Sequence, residues 1–181
     1  MADLHNYFQD ARINSQMLHY GNVINLRLDS INWPDGRSAC YEVLEHNGGV
    51  VIICQPNNDE IVLIKQFRYS IGKVLYELPA GKIDKGEDPL VAAKRELQEE
   101  TGYSAKNWQE LSRMYSAPGF CNELLYLYKA CDVTLSEPNP DEHEEIEVML
   151  IKIQDAWQLV LDASIQDAKT IAGLGLVVNQ L

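Results

Sequence analysis

Three glutamates, Glu96, Glu99 and Glu100, follow one another at spacings of three residues and one residue. On an α-helix these positions share one face, so their carboxylates would project together. Like charges at this spacing repel each other, and Arg95 lies four residues before Glu99, where it can form an opposing ion pair. Converging carboxylates suit hard divalent cations such as Mg²⁺ or Mn²⁺. The same pattern is also typical of a solvent-exposed acidic helix face that binds nothing.

The loop before these glutamates could bring backbone atoms to the same cation. It contains Gly81 and Gly86, and the carbonyl oxygen of Ala80 is a candidate ligand. The sequence therefore offers a site made of helix carboxylates and one loop carbonyl.

Local signals predict the elements that would position this loop and its helix. Asp88 is a suitable N-cap and Gly102 suits the residue after a helix end, so a helix is predicted over Pro89–Thr101. The periodicity also predicts strands over residues 23–31, 39–44, 50–54, 60–67, 124–131 and 146–153, and helices over 154–161 and 167–178. Because strands and helices mix without strict alternation, we expect an α/β or α+β fold rather than a doubly wound sheet.

Composition limits the classes of partner. The chain has 181 residues, and its 15 Lys and Arg against 27 Asp and Glu give a net charge of −12. Such a charge repels phosphate backbones and anionic membranes, so neither nucleic acid nor a membrane is an expected partner, and a polyanionic substrate would need a bridging cation. No apolar run approaches the roughly 20 residues of a membrane span, and the first residues lack signal-peptide features. We therefore expect a cytoplasmic protein.

The loop and helix together resemble a known motif, the Nudix box. Its fixed positions fall here in the order Gly81, five residues, Glu87, seven residues, Arg95-Glu96-Leu97, one residue, Glu99-Glu100, one residue, Gly102. The resemblance implies an α/β/α sandwich with a mixed sheet and metal-dependent hydrolysis of nucleoside diphosphates linked to another group. It also implies that Glu96, Glu100 and the Ala80 carbonyl bind the metal, that Glu99 binds or supports it, and that Arg95 orients the glutamates.

Segments outside the box resemble the ADP-ribose pyrophosphatase branch of the family. They are Glu77–Gly81, Gln66–Arg68, Asp167–Thr170 and Ser116–Gly119, which places Pro118 15 residues after Tyr103. In that branch Arg68 would hold a phosphate or the terminal ribose, and Pro118 would lie at the substrate. The same features occur in enzymes that act on GDP-mannose and other nucleotide sugars.

A second substrate contact is implied near Tyr41-Glu42-Val43, where these enzymes often read Arg-Glu-Val. In such homodimers the arginine and the glutamate can reach the partner's substrate. Tyr41 cannot supply the arginine charge but could stack on a base, as could Trp33; the alternative for such aromatic residues is packing within the strand region. Glu42 keeps the family's glutamate.

The general base is expected in the acidic loop before residue 146. Its pattern Glu-x-Glu-x-Ile-x-Val resembles the family's catalytic loop and indicates Glu144 as catalytic base or metal ligand, with Glu142 and Glu145 as alternatives. His143 has a suitable ordinary pKa but an alternate position in the pattern. An acidic surface loop without a catalytic role would have the same composition.

These features predict a Mg²⁺-dependent hydrolase, with Mn²⁺ as a substitute, that cleaves nucleoside diphosphate sugars and favours ADP-ribose, giving AMP and ribose 5-phosphate. The alternatives are a GDP-mannose or other nucleotide-sugar hydrolase and a Nudix-like nucleotide sensor that does not catalyse. By resemblance, residues 1–45 would form an antiparallel β part that makes a homodimer, and residues 46–181 the Nudix domain.

Overall fold

The computed structural model describes residues 8–137 and 145–178. The chain forms two compact units. The N-terminal unit comprises the residues up to His46 together with Ala117–Glu123, and the larger unit comprises Asn47–Ser116 and the chain from Leu124 onwards. The division predicted at residues 45 and 46 did not anticipate that the later segment, Ala117–Glu123, belongs with the N-terminal residues.

From residue 8 onwards, the N-terminal unit contains one antiparallel sheet of three strands in the order β1-β2-β3. These strands are β1 (Arg12–Tyr20), β2 (Asn25–Asn32) and β3 (Ser38–Glu45). Near its end, β3 bonds to the later segment of its own unit: Leu44 N–H donates to the Phe120 carbonyl (2.7 Å), and Asn122 N–H donates to the Leu44 carbonyl (3.1 Å). Strands β2 and β3 correspond to the hairpin expected from the sequence.

Among its described residues, the larger unit has two sheets. One has the order β7-β4-β9-β8, with β4 and β9 parallel and the other pairs antiparallel, and the other has the antiparallel order β10-β5-β6. The strands are β4 (Gly49–Cys54), β5 (Glu60–Arg68), β6 (Lys73–Glu77), β7 (Ala80–Lys82), β8 (Tyr103–Tyr115), β9 (Leu124–Leu135) and β10 (Ile146–Lys152).

In the described part of the chain, three helices cover the faces of these sheets: α1 (Pro89–Thr101), α2 (Ile153–Leu161) and α3 (Ala168–Val178). Strand β4 is buried along its whole length, and its side chains alternate between two cores. Val51 and Ile53 pack in a core that includes residues of α2 and α3, whereas Val50 and Ile52 pack in a core that includes residues of α1. A strand buried on both faces requires a helix layer on each side, which is the α/β/α sandwich expected from the sequence.

Within the described residues, no helix is long and apolar enough to span a membrane.

Candidate active site

Helix α1 begins and ends where the local signals predict. Asp88 caps its first turn, because the Asp88 Oδ1 atom accepts hydrogen bonds from the N–H groups of Leu90 (2.9 Å) and Val91 (3.3 Å). Gly102 ends it in the left-handed region at φ 74°, with its N–H donating to the Gln98 carbonyl at 2.9 Å. Leu97 is fully buried, so the rotation of the helix about its axis is fixed.

The three glutamates of α1 do not form a uniformly solvated face. Glu100 is only 3% exposed, and the side chains of Glu96 and Glu99 are 14% and 36% exposed. A helix face that served only for solubility would keep its carboxylates in water, because burying a charge without a partner is costly. The alternative of a plain acidic surface is therefore wrong for Glu100 and Glu96.

Strand β7 lies directly against these carboxylates. The Ala80 N–H donates to Glu100 Oε2 at 3.0 Å. At the next residue, a Cβ atom built on Gly81 would overlap the carboxylate of Glu96. A side chain at residue 81 would therefore displace the Glu96 carboxylate, which occupies the space beside the Gly81 Cα; we call this space the Gly81 cradle.

Arg95 holds the carboxylates around it with most of its N–H groups. Its Nη1 donates to Glu96 (2.8 Å) and Glu99 (3.0 Å), while Nε and Nη2 both donate to Glu87 at 3.1 Å. Nη2 also donates to the Lys82 carbonyl at 3.1 Å. The hydrogen bond from Arg95 lowers the pKa of the Glu87 carboxyl. The contact with Glu99 is the one that the four-residue spacing predicts.

The donor set fits a hard divalent cation. Carboxylate oxygens and a strand carbonyl are the ligands that Mg²⁺ and Mn²⁺ prefer, and the Gly81 cradle leaves Glu96 close to the β7 backbone. Among residues 8–137 and 145–178, no three His, Cys, Asp or Glu side chains form a ready-made metal cluster. The predicted ligand set includes three helix carboxylates, and they do not lie together as such a cluster, so the metal roles of Ala80, Glu96, Glu99 and Glu100 stay predictions.

Arg68 ends β5 and forms a paired contact with Glu77, the first residue of the Glu77–Gly81 segment, whose own role the sequence did not predict. Its Nε and Nη2 donate to the two oxygens of Glu77 at 2.7 Å each. Glu77, the last residue of β6, is fully buried and also bonds to Lys169. Burial acts to raise the pKa of Glu77, but Arg68 and Lys169 outweigh it and lower that pKa. Glu77 opens a segment that resembles the family branch, but its burial and its bonds to Arg68 and Lys169 depend on contacts between β6, β5 and α3, which no local signal predicts.

The other proposed substrate residues belong to the N-terminal unit. Tyr41 on β3 is 44% exposed, and its neighbour Glu42 is also exposed. Pro118 lies in the Ala117–Glu123 segment. Their substrate roles stay predictions. Trp33, in contrast, is 9% exposed and stacks on Phe8 at 5.8 Å between ring centroids, so its role is packing, the alternative expected for such an aromatic residue.

The candidate catalytic loop lies mostly outside the described residues. Glu144, Glu142 and His143 fall there, and only Glu145 is described, as an exposed residue directly before β10. The choice among them stays a prediction.

Comparisons with known proteins identify the domain that contains this site. A model of the NUDIX domain matches residues 45–174. A solved structure titled as that of an ADP compounds hydrolase has a TM-score of 0.82, covering 96% of this chain and 95% of its own, at 23% identity. At that identity the likeness shows the shared fold alone.

Curated relatives are similar over most of the chain. The ADP-ribose pyrophosphatase of Bacillus subtilis (strain 168) is 35% identical, covering 90% of this chain and 89% of its own, and that of Mycobacterium tuberculosis is 37% identical, covering 90% and 80%. The methanol dehydrogenase activator of Bacillus methanolicus is 34% identical, covering 91% and 90%. A GDP-mannose pyrophosphatase of Yersinia pestis is 35% identical, covering 69% and 67%. By its motif, its fold and these relatives, the chain belongs to the Nudix family.

Proposed function

We propose that this protein hydrolyses the diphosphate linkage of nucleoside diphosphate sugars in the presence of a divalent cation, and that ADP-ribose is its best substrate. The observation that carries the proposal is the pair Glu96 and Glu100, held against β7 by the Gly81 cradle and the Ala80 N–H. Relatives named ADP-ribose pyrophosphatase over about nine tenths of this chain support the choice of substrate.

Residues of helix α1 and strand β7 would bind the cation and orient its ligands. Glu96, Glu100 and the Ala80 carbonyl would hold Mg²⁺, with Glu99 in support, and Arg95 keeps Glu96 and Glu99 in place through hydrogen bonds of 2.8 and 3.0 Å. The bound cation supplies positive charge for the diphosphate oxygens and for activating water. That charge matters here because the protein itself carries −12.

Two further steps belong to residues outside α1. Arg68 would contact the phosphates, since it is the cation at the end of β5 whose side chain stays 37% exposed. Glu144 would take the proton from the attacking water, with Glu142 or Glu145 as the alternative base. Attack on either phosphorus of ADP-ribose yields AMP and ribose 5-phosphate.

The N-terminal unit would form a homodimer and contribute Tyr41, Glu42 and Pro118 to substrate binding. Its three-stranded sheet has an outer strand, β1, in which eight of the nine residues are exposed. An exposed strand of this kind is suited to being covered by a second copy.

A substrate panel tests the proposal. We would measure product release from ADP-ribose, GDP-mannose, UDP-glucose, a diadenosine polyphosphate and dGTP, with Mg²⁺, with Mn²⁺ and with EDTA. We expect cleavage with the metals only, and the highest kcat/KM for ADP-ribose. If GDP-mannose is cleaved best, as the Yersinia relative suggests, the substrate assignment is wrong and the chemistry stands. Binding without cleavage of any compound would instead identify a nucleotide sensor.

A further inference from the structure

The buried carboxylate of Glu77 lies between two cations on different elements. Arg68, at the end of β5, binds both of its oxygens, and Lys169, in the first turn of α3, bonds to Oε2. Glu77 is fully buried, whereas 37% of the Arg68 side chain and 16% of the Lys169 side chain are exposed. In this cluster of Arg68, Glu77 and Lys169, the lysine end is therefore closed to solvent and the arginine end is open.

Further hydrogen bonds fix the closed end. Lys169 Nζ donates to Asp167 Oδ1 at 2.9 Å, and the Thr170 hydroxyl donates to Asp167 Oδ2 at 2.6 Å. The same Thr170 hydroxyl accepts a hydrogen bond of 2.8 Å from the Leu78 N–H, directly after Glu77. Thr170 is fully buried. The end of β6 and the start of α3 are thus joined by bonds shielded from water, where such bonds are stronger than on the surface.

This geometry leaves one edge of the Arg68 guanidinium available. A guanidinium has five N–H groups, and Glu77 takes the Nε–H and one Nη2–H. In the part of the chain that the structure describes, the side-chain hydrogen bonds of Arg68 all go to Glu77. Three N–H groups remain. One of Nη1 and the second of Nη2 lie side by side, and these two form the planar fork that binds two phosphate oxygens.

Lys169 also sets the local charge. With it, the cluster contains two cations, Arg68 and Lys169, and two carboxylates, Glu77 and Asp167, and its formal charge is zero. Without it, one guanidinium would face two carboxylates, and the net negative charge would oppose an anionic ligand. Lys169 therefore affects both the position of Arg68 and its attraction for phosphate.

We propose that Lys169 is a positioning residue, which through Glu77 presents the free fork of Arg68 to two phosphate oxygens of the substrate. The proposal rests on the proposed function, because it names how the substrate's diphosphate is held. Because Arg68 is already oriented before the ligand arrives, less side-chain entropy is lost on binding.

The test compares Lys169→Met with Lys65→Met. Lys65 is a matched control because it also bonds to a carboxylate, Glu147 (2.7 Å), in an exposed pair on the same unit, and its removal changes the net charge equally. For each variant we would measure kcat and KM for ADP-ribose with Mg²⁺, the Kd of ADP in EDTA by calorimetry, and the Tm.

For Lys169→Met we expect KM and the Kd of ADP to rise by roughly 10- to 100-fold, the effect of losing one hydrogen bond to a charged group. We expect kcat to stay within about twofold, since binding rather than chemistry is changed. Lys65→Met should leave all three constants near wild type. Lys169→Arg, which keeps the charge, should restore most of the affinity; a purely structural defect would lower the Tm without this pattern.

The outcomes separate this proposal from the proposed function. Turnover by the wild type with unchanged KM and Kd in Lys169→Met would overturn the positioning role and leave the function standing. Binding of ADP by the wild type without turnover, weakened in Lys169→Met, would overturn the function and support the positioning role. Absence of both turnover and ADP binding in the wild type would overturn both. If the wild type cleaves ADP-ribose but does not bind ADP in EDTA, the KM of Lys169→Met alone decides the positioning role. If Lys169→Met does not fold, Arg68→Lys takes its place, because it keeps a cation beside Glu77 but removes the fork, and wild-type affinity in it would refute the proposal.

Discussion

Replacing Gly81 by alanine tests whether the position of the Glu96 carboxylate controls activity. A Cβ atom at residue 81 would overlap that carboxylate, so Glu96 must rotate away from β7. The backbone of Gly81 is not in the left-handed region, so alanine adds no conformational strain there. The change therefore displaces one side chain and leaves the loop as it is.

The magnitude follows from the displacement. Moving a catalytic group by about 1 Å costs about 100-fold in rate, equivalent to about 2.7 kcal/mol of transition-state stabilisation. Stability should change little, because the Glu96–Arg95 ion pair is partly exposed and such pairs contribute about 1 kcal/mol or less. For a domain of this size that corresponds to roughly 2–4 °C in Tm. We expect Gly81→Ala to lose activity and keep most of its stability.

Gly86→Ala is the matched control in the same loop. Gly86 has φ 84°, and a Cβ atom there would meet nothing within 4 Å. Alanine at such a φ costs about 1–2 kcal/mol, so we expect a lower Tm with kcat/KM near wild type. The assay is Mg²⁺-dependent hydrolysis of ADP-ribose together with thermal unfolding of both variants. Wild-type kcat/KM in Gly81→Ala, or equal losses of activity in the two variants, would refute the reasoning.

Other perturbations separate the remaining parts of the structure. Glu100→Gln keeps the hydrogen-bond acceptor but removes the charge, so hydrolysis should fall by about 100-fold or more while calorimetry still detects nucleotide binding; unchanged turnover would contradict the metal assignment. Gly173→Ala should lower the Tm, because its Cβ would overlap the Leu78 side chain, at a cost of about 1–3 kcal/mol. Gly175→Ala on the same helix meets only a tryptophan ring at 4.0 Å and should raise stability by up to about 1 kcal/mol. The pKa of Glu87 is lowered from 4.5 by its guanidinium partner, so its stabilisation is present above pH 4.5 and is lost as the pH falls through the lowered pKa; Tm should depend less steeply on pH in that range in Glu87→Gln than in wild type.

Local signals in the sequence were sufficient to predict helix α1 and the buried strand β4. The capping residue Asp88, the proline after it and Gly102 act within a few residues of the helix ends, so the predicted and observed ranges agree. Strand β4 is an unbroken apolar run and was also predicted. In each case the physical cause lies within the segment itself.

Strands β1, β6, β7 and β8 were not predicted, because their partners determine them. Strand β8 has 13 residues, mostly polar and exposed, and it becomes a strand by pairing with β9 along nearly its whole length. Strand β7 has only three residues, and its pairing with β4 is what places Ala80 and Gly81. Propensity over so short a segment carries almost no information.

The same distinction between local signals and contacts with distant segments holds at the candidate site. The spacing of Glu96, Glu99 and Glu100 indicates a shared helix face from sequence alone, and Arg95 was expected to pair with Glu99. The cradle at Gly81 and the buried cluster around Glu77 and Lys169 depend on contacts between segments that are distant in the chain, with 92 residues separating the last two. The spacing of residues along the sequence gives no information about such contacts.

Because the N-terminal unit is built from two separate chain segments, it limits where this protein can be truncated or recombined with a relative. The chain passes between the two units at three points, after His46, after Ser116 and after Glu123. The Asn122 side chain accepts a hydrogen bond from the His46 N–H at 2.8 Å, so the later segment supplies part of the smaller unit's bonding. A single truncation after His46 would remove the sheet and leave this segment without those partners. Grafting the sheet onto another member of the family would require transplanting the 117–123 segment with it.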